Sequence, residues 1–331
     1  MVMKILIYSS VFYPAIGGIE NLTLALAKEF RRSGHDVKVV TEQRQTPGLA
    51  VEGIEIFHSS KLIQQLRLFF WSDVWYMPNI TLKGMWLLLF NPFKKLFISH
   101  NDFHVIDARN AKAMLKNAVI HSLATNISVS RSVARALRVK STVILNCYND
   151  GDFRVYPEEE RSRDFLFVGR LVSQKGCELL LEACRGLTRP FTLSIVGDGV
   201  EMKKLQAVVH RYGMRDSVSF LGLQRDEALA RTMNRHRVMI VPSLGAEGFG
   251  IVALEGLACG CEMVVSDAGG LPEAVGGFGD VFPVGDAVAL KTLLERHLAQ
   301  PVTGTMSDDK VRYLHSRTSK NVAREYLDLF L

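Results

Sequence analysis

The stretch GAEGFGIVALEGLACG, from Gly245 to Gly260, keeps two carboxylates, Glu247 and Glu255, eight residues apart in an otherwise apolar, glycine-rich segment. A buried strand has no use for such a pair, and an ordinary amphipathic helix does not begin Gly-Phe-Gly. The segment follows the apolar run VMIVPS, so it is expected to turn through LGAEG and become helical near Phe249. Glu247 then lies in the loop and Glu255 about two turns into the helix. The backbone amides of Gly248, Phe249, Gly250 and Ile251 fall at the helix start, where N–H groups lack intrahelical partners and favour an anion. A phosphate held there leaves one carboxylate free to reach sugar hydroxyls and the other a ribose diol. The same residues also fit a plainer arrangement, with Glu255 on a surface helix and Glu247 as an N-terminal cap.

Other groups could share that chemistry. FVGRLVSQKG (167–176) places Arg170 and Lys175 just beyond a strand end. Arg offers a planar fork and Lys a point charge to a diphosphate, although solvated surface cations look the same in sequence. Gly17 and Gly18 follow the first apolar run and open a helix, which lets backbone approach a ligand closely or simply makes a tight turn. The surrounding PAIGGIEN lacks the G-x-G-x-x-G of a dinucleotide fingerprint. IVGDGVEM puts Gly197 in a turn at another strand end, and NDGDF contains Asp150 and Asp152 in the D-x-D spacing of a metal site.

The elements that would position these residues alternate. KILIYSS is a strand, GGIENLTLALAKEFRRSGH a helix stopping at Gly34, and DVKVVTE a strand again. This is a β-α-β unit, hence a parallel sheet with right-handed crossovers. DVWYMPN, KLFISH and NISVS continue the series. After the polar stretch NCYNDGDFRVYPEEERSRD a second series begins, with strands at FLFVGRL, FTLSIVGDG, VSFLG, VMIVPS and EMVVSD and helical spans between them. Two α/β halves predict a cleft between domains, with ligands at the carboxyl ends of the strands. The boundaries expected are 1–150, 151–310 and a closing helical segment 311–331.

At 331 residues the chain suits two domains, and its 48% hydrophobic and 22% charged content is that of a soluble globular protein. No run of 18 uncharged apolar residues is present, and the N-terminus reads as a first strand rather than a signal peptide. Cys147, Cys177, Cys184, Cys259 and Cys261 have no zinc-ligand spacing and read as buried thiols of a reducing, cytoplasmic compartment. From Lys61 to Lys140 there are twelve Lys/Arg and three Asp/Glu, a net of +9, whereas the whole chain carries +6. That asymmetry is a partner signal. Nucleic acid is not the partner expected, since the folds and aromatic repeats that specify it are missing. An anionic membrane surface is, with the basic face of the first domain resting on it and each cation contributing about 1 kcal/mol. The apolar runs LRLFFW and MWLLLFNPF are expected to be strand or core helix.

Taken in order, GGIE after the first strand, GRLVSQKG, IVGDG, VSFLG, PSLGAEGFGIVALEGLACG and SDAGGLPE resemble glycosyltransferase family 4 over nearly the whole chain. The E-x7-E signature corresponds to Glu247 and Glu255. The resemblance implies the GT-B fold: two Rossmann-like parallel-sheet domains facing across a cleft, with the C-terminal helix crossing back to the first. It further implies a retaining, metal-independent hexosyltransferase with no cofactor, using a UDP- or GDP-sugar as donor and a glycan or lipid-linked acceptor. Arg170 and Lys175 would hold the diphosphate, Glu247 and His100 the transferred sugar, and Glu255 the ribose. Gly17, Gly18, Gly197, Leu223 and the amides from Gly248 to Ile251 would complete the donor site.

The chemistry fits those roles. Breaking a glycosidic bond to a diphosphate creates an oxocarbenium-like sugar and a leaving group gaining charge, which fixed cations and amides stabilise without a metal. Front-face return is expected, with the leaving phosphate taking the acceptor's proton, and Asp150 and Asp152 are read as a turn. Two features depart from the family pattern: Glu262 stands where proline is usual, and little is expected between Ser60 and Asp73. A nucleotide-sugar 2-epimerase and an inactive binding partner are the alternatives. Arg170, Lys175 and Glu247, all present, weigh against both.

Overall fold

Short apolar runs punctuated by glycine and polar turns give strands of two to six residues here, and the spans between them, apolar on one side, give helices. The computed structural model describes residues 2–13, 17–43, 50–58, 61–103, 111–300 and 306–331. The chain forms two units, Met1–Cys147 with Arg317–Leu331, and Tyr148–Ser316. Among the described residues the first unit runs β1 (Lys4–Ser9), α1 (Gly18–Arg32), β2 (Asp36–Thr41), β3 (Ala50–Val51), β4 (Ile54–His58), α2 (Leu62–Trp71) and β5 (Val74–Met77). It continues with β6 (Lys95–His100), α3 (Ala111–Ser122), β7 (Ala124–Ser128), α4 (Arg131–Leu137) and β8 (Ser141–Val143). The second unit holds β9 (Arg163–Val168), α5 (Cys177–Arg185), β10 (Leu193–Val196), α6 (Met202–Arg211), β11 (Val218–Gly222), α7 (Asp226–Asn234) and β12 (His236–Val241). After these come α8 (Ile251–Ala258), β13 (Glu262–Ser266), α9 (Leu271–Ala274), β14 (Gly279–Phe282), α10 (Ala287–Ala299) and α11 (Asp308–Ser316). The chain then returns to the first unit as α12 (Ser319–Phe330).

The first sheet has the order β3-β4-β2-β1-β5-β6-β7-β8 and is parallel except for the β3–β4 pair. On one face α12 packs beside α1, where Tyr326 and Phe330 meet Phe30 and Tyr76 at ring-centroid distances of 5.5 to 6.3 Å. Phe330 also sits 4.6 Å from the Phe97 ring of β6. This apolar contact ties the last helix to the first unit. The return starts at Arg317 rather than at 311, because α11 belongs to the second unit: its Tyr313 hydroxyl donates to the carbonyl oxygens of Glu273 and Ala274. The opposite face of the sheet is covered by α2, α3 and a 3-10 turn at Met85–Leu89.

The second sheet is parallel throughout, in the order β11-β10-β9-β12-β13-β14. α5, α6 and α10 close one face over Phe165, Phe167 and Ile195, and Gly256 of α8 fits against Met239 and Met263 on the other. The strand order reverses between β9 and β12, and the carboxyl ends of the strands at such a switch point are the favoured ligand crevice of the sheet.

Several expectations change. The stretch between Ser60 and Asp73 is not sparse, since it forms α2. LRLFFW and MWLLLFNPF are only partly core: Leu68 and Phe69 are buried, but Phe70, Leu89, Phe90 and Phe93 are exposed. Lys94, counted in the basic face, is turned inward. Its ammonium donates to the Phe69 carbonyl at 2.7 Å and to that of Ser72, closing the C-terminal end of α2, and burial lowers its pKa. Glu262 has a local role, with His297 bonded through Nδ1 to Glu262 at 2.8 Å and through Nε2 to Asp280 at 2.9 Å. All five cysteines are free and buried, and burial raises the thiol of Cys261 to about 11.

Candidate active site

At the switch point of the second sheet, the loop after β9 and the loop after β12 are sewn together. Gln174 accepts from the amides of Leu244 at 2.8 Å and Gly245 at 3.2 Å through its carbonyl oxygen. That contact brings Lys175, at the end of a 3-10 turn, to Glu247: Nζ and Oε1 are 2.5 Å apart, and the Ser243 hydroxyl donates to the same oxygen at 2.7 Å. Ser243 is held in turn by the Ser266 hydroxyl, which donates to its carbonyl at 2.7 Å. The Glu247 carbonyl accepts from the Gly270 amide at 2.7 Å, fixing the backbone as well as the side chain. Arg170 lies in the same β9 loop, exposed to solvent.

Gly197 makes this crowding possible. With φ +139, a conformation side chains resist, its Cα lies so near the first loop that a Cβ would come 1.9 Å from the Gly169 carbonyl oxygen. The adjoining Asp198 carbonyl accepts from Leu171 at 2.8 Å. On the other side, Gly248, Phe249 and Gly250 lead into α8, which begins at Ile251 rather than near Phe249. Gly250 is its N-cap at φ +97, and no side chain caps the helix. The first-turn amides thus follow directly on the loop that carries Glu247 and have no capping side chain. Phe249 is buried and anchors this turn.

Because α8 starts late, Glu255 sits one turn into it rather than two. It is half-buried, with its carboxyl closely surrounded by protein; burial raises its pKa to about 8, and the nearby carboxylate of Asp226 adds to the rise. Asp226 opens α7 at φ 47, an unusual conformation for a residue with a side chain. Leu223 is exposed in the loop between β11 and α7. Lys175, Glu247, Gly197 and the α8 start thus belong to one loop cluster, with Glu255 on the helix that leaves it.

Gly17, Gly18 and His100 belong to the first unit. Gly17 is the N-cap of α1, and the Glu20 carboxylate folds back over it, since a Cβ on Gly17 would lie 2.2 Å from Glu20 Oε2. His100 ends β6 and is wholly buried. Asn126 donates its amide to the carbonyls of Ile120 and Ala124, so its Oδ1 accepts from His100 Nε2 at 2.9 Å. The Asp150 segment is a turn: Asn149 bonds the Gly151 amide at 3.2 Å and the Asp152 carboxylate at 2.6 Å. Sequence reasoning passed over Ser243, Gln174 and Ser266. Ser243, four residues before Glu247 in the same loop, was the one within reach of a closer look.

Comparison with known proteins bears on the family and the fold. Residues 149–313 match the family model of glycosyl transferases group 1. An uncharacterised glycosyltransferase of Methanocaldococcus jannaschii is 31% identical over 197 residues, covering 55% of this chain and 52% of that protein. The phosphatidylinositol N-acetylglucosaminyltransferase gpi3 subunit of Schizosaccharomyces pombe is 27% identical over 308 residues, 81% of this chain and 66% of that one. The chain thus spans about half the length of the Methanocaldococcus relative. The solved structure of Anabaena HepE in complex with UDP superposes with a TM-score of 0.84 at 19% identity, covering 99% of both chains, which is a likeness of fold. Both units have the α/β architecture, built on largely parallel sheets, of the structure they superpose on, and the family-model match falls over nearly all of the second unit.

Proposed function

We propose that the protein is a retaining glycosyltransferase that moves a hexose or N-acetylhexosamine from a nucleotide-diphosphate sugar, UDP- or GDP-linked, to a glycan or lipid-linked acceptor in cell-surface polysaccharide or glycolipid synthesis. The observation that carries this reading is the Lys175–Glu247–Ser243 cluster beside the uncapped start of α8. A cation and free amides suit a diphosphate, and a fixed carboxylate next to them suits the hydroxyls of the sugar it carries.

In the reaction the bond between the anomeric carbon and the β-phosphate oxygen breaks, and a bond from the acceptor oxygen to the same face of that carbon forms. The acceptor's proton passes to the departing phosphate oxygen. Lys175, Arg170 and the amides of Phe249, Gly250 and Ile251 stabilise the charge growing on that phosphate. Lys175 is positioned by its hydrogen bond to Glu247 and the amides by the start of α8, both before substrate arrives, so little reorganisation of these groups is needed. Glu247 orients the sugar through its hydroxyls and Glu255 holds the ribose diol. In this reading Leu223 meets the nucleoside. No metal takes part.

A panel of nucleotide sugars tests the donor by thermal shift, since a ligand at a hundredfold its Kd stabilises by about 2.7 kcal/mol. One member should raise the melting temperature and release free nucleotide when acceptor is added. A panel with no stabilising member would sink the assignment, and an inverted anomer in the product would sink retention.

A further inference from the structure

α2 is apolar on both sides. Leu68 and Phe69 point into the core together with Gln65, while on the other side Leu62, Ile63 and Phe70 are 60%, 73% and 57% exposed. A helix apolar all round belongs in a protein interior or against lipid, not in water. Beside it, the 3-10 turn at Met85–Leu89 and the chain that follows leave Leu89 85% and Phe93 93% exposed. Between the two elements lies an open groove of about 570 Å³ lined by Leu62, Ile63, Leu66, Arg67, Phe70 and Trp86. Contiguous exposed apolar surface of this kind marks an interaction site.

The charge around it selects the partner. Lys61 and Arg67 are exposed at the helix, and α2 contains no acid. Between Ile56 and Asn101 the one carboxylate is Asp73, which is engaged by the Lys4 amide at 2.8 Å. A two-fold dimer through this patch would set its like charges facing one another. Apolar and aromatic side chains flanked by cations, with long Lys and Arg stems able to reach outward, are what a lipid–water interface rewards.

We propose that this face of the first unit docks on an anionic lipid bilayer, with Leu62, Ile63, Phe70 and Phe93 entering the acyl boundary and Lys61 and Arg67 meeting lipid phosphates. Docking is separate from sugar transfer and can be measured without it, so either can fail alone.

Sedimentation with vesicles decides the matter, using phosphatidylcholine alone and phosphatidylcholine mixed with phosphatidylglycerol. The full chain should bind the mixed vesicles at low salt and leave the neutral ones in the supernatant. Arg67→Glu should weaken binding by about fivefold or more. The pair Ile63→Glu and Phe93→Glu should abolish it at every salt concentration, and because both sites are exposed the melting temperature should hold. Brominated acyl chains should quench the fluorescence of wild type but not of Trp86→Phe. Failure of wild type to bind anionic vesicles would overturn the proposal. So would unchanged binding by the double Glu variant, or a concentration-dependent dimer that the double variant dissolves.

Discussion

The ammonium of Lys175 and the carboxylate of Glu247 lie 2.5 Å apart across 72 residues of sequence, joined through loops that leave β9 and β12 on either side of the strand-order reversal. Neither side chain is free in the resting molecule. On the proposed function, donor binding exchanges contacts within an existing cluster rather than ordering two long side chains from solvent, which lowers the entropic cost of holding a diphosphate.

Removing the cations should be felt in the transition state. Lys175→Ala or Arg170→Ala is expected to lower kcat/KM by roughly 10²-fold, as for other lost charge-stabilising groups. Lys175→Ala also strips Glu247 of its partner, so its effect should partly overlap that of Glu247→Gln in a double-mutant cycle. Arg170→Ala and Glu247→Gln should combine more independently. Steady-state kinetics on the three single and two double variants checks this, and near wild-type turnover in both cation variants would remove the diphosphate from this loop.

Activity should survive EDTA. Asp150 and Asp152 lie in a turn that Asn149 holds from within, and the proposed mechanism places its positive charge on Lys175, Arg170 and the α8 amides. A loss of turnover on chelation that Mn²⁺ or Mg²⁺ restores would contradict it.

Much of this arrangement was legible in the residues themselves. Alternating apolar runs and amphipathic spans gave both parallel sheets, and the residues around 197 and 250 could be placed at a strand-end turn and at a helix start. What was not legible depended on contacts distant in sequence. The first turn of α8 starts at Ile251 because Gly250 takes a left-handed conformation, which brings Glu255 two residues, about half a turn, nearer the helix start. A count of cations cannot show that Lys94 spends its charge on the carbonyls at the end of α2. Nor does Glu262 announce its pairing with His297, 35 residues away. Apolar runs hide exposure in the same way, since the pattern of α2 is that of a core helix until its outer face is found bare.

The glycine at the helix start separates strain from simple crowding. Gly250 has φ +97, and a Cβ there would lie 2.3 Å from Leu271 Cδ2. Gly250→Ala should destabilise by about 1–3 kcal/mol, mostly through the backbone, because the leucine tip can yield. Gly245→Ala, whose new methyl meets only Gln174 at 3.5 Å, should be close to neutral. Urea unfolding of the two variants distinguishes them, and equal midpoints would deny the strain.

Glu255 gives the last prediction, in which stability and binding move in opposite directions. Its folded-state pKa, about 8, is raised above the ordinary carboxylate value by burial, with Asp226 contributing. The native state therefore holds this proton more tightly than the unfolded chain, and stability falls as pH rises through the window between the ordinary value and about 8. Below that window both states are protonated and the cost vanishes; above it the charge is fully borne by the native state. Glu255→Gln keeps the shape without the charge. It should raise the melting temperature over wild type at pH values above the folded pKa, and the gain should shrink steadily as pH is lowered towards the unfolded value. Above the folded pKa, where Glu255 is a carboxylate, the same change should weaken nucleotide-sugar binding, because a neutral amide is a poorer acceptor for the two ribose hydroxyls. Melting curves across pH, with and without donor, read both effects at once. A gain that did not depend on pH would mean that packing rather than charge is at work, and unchanged donor binding would take the ribose away from Glu255.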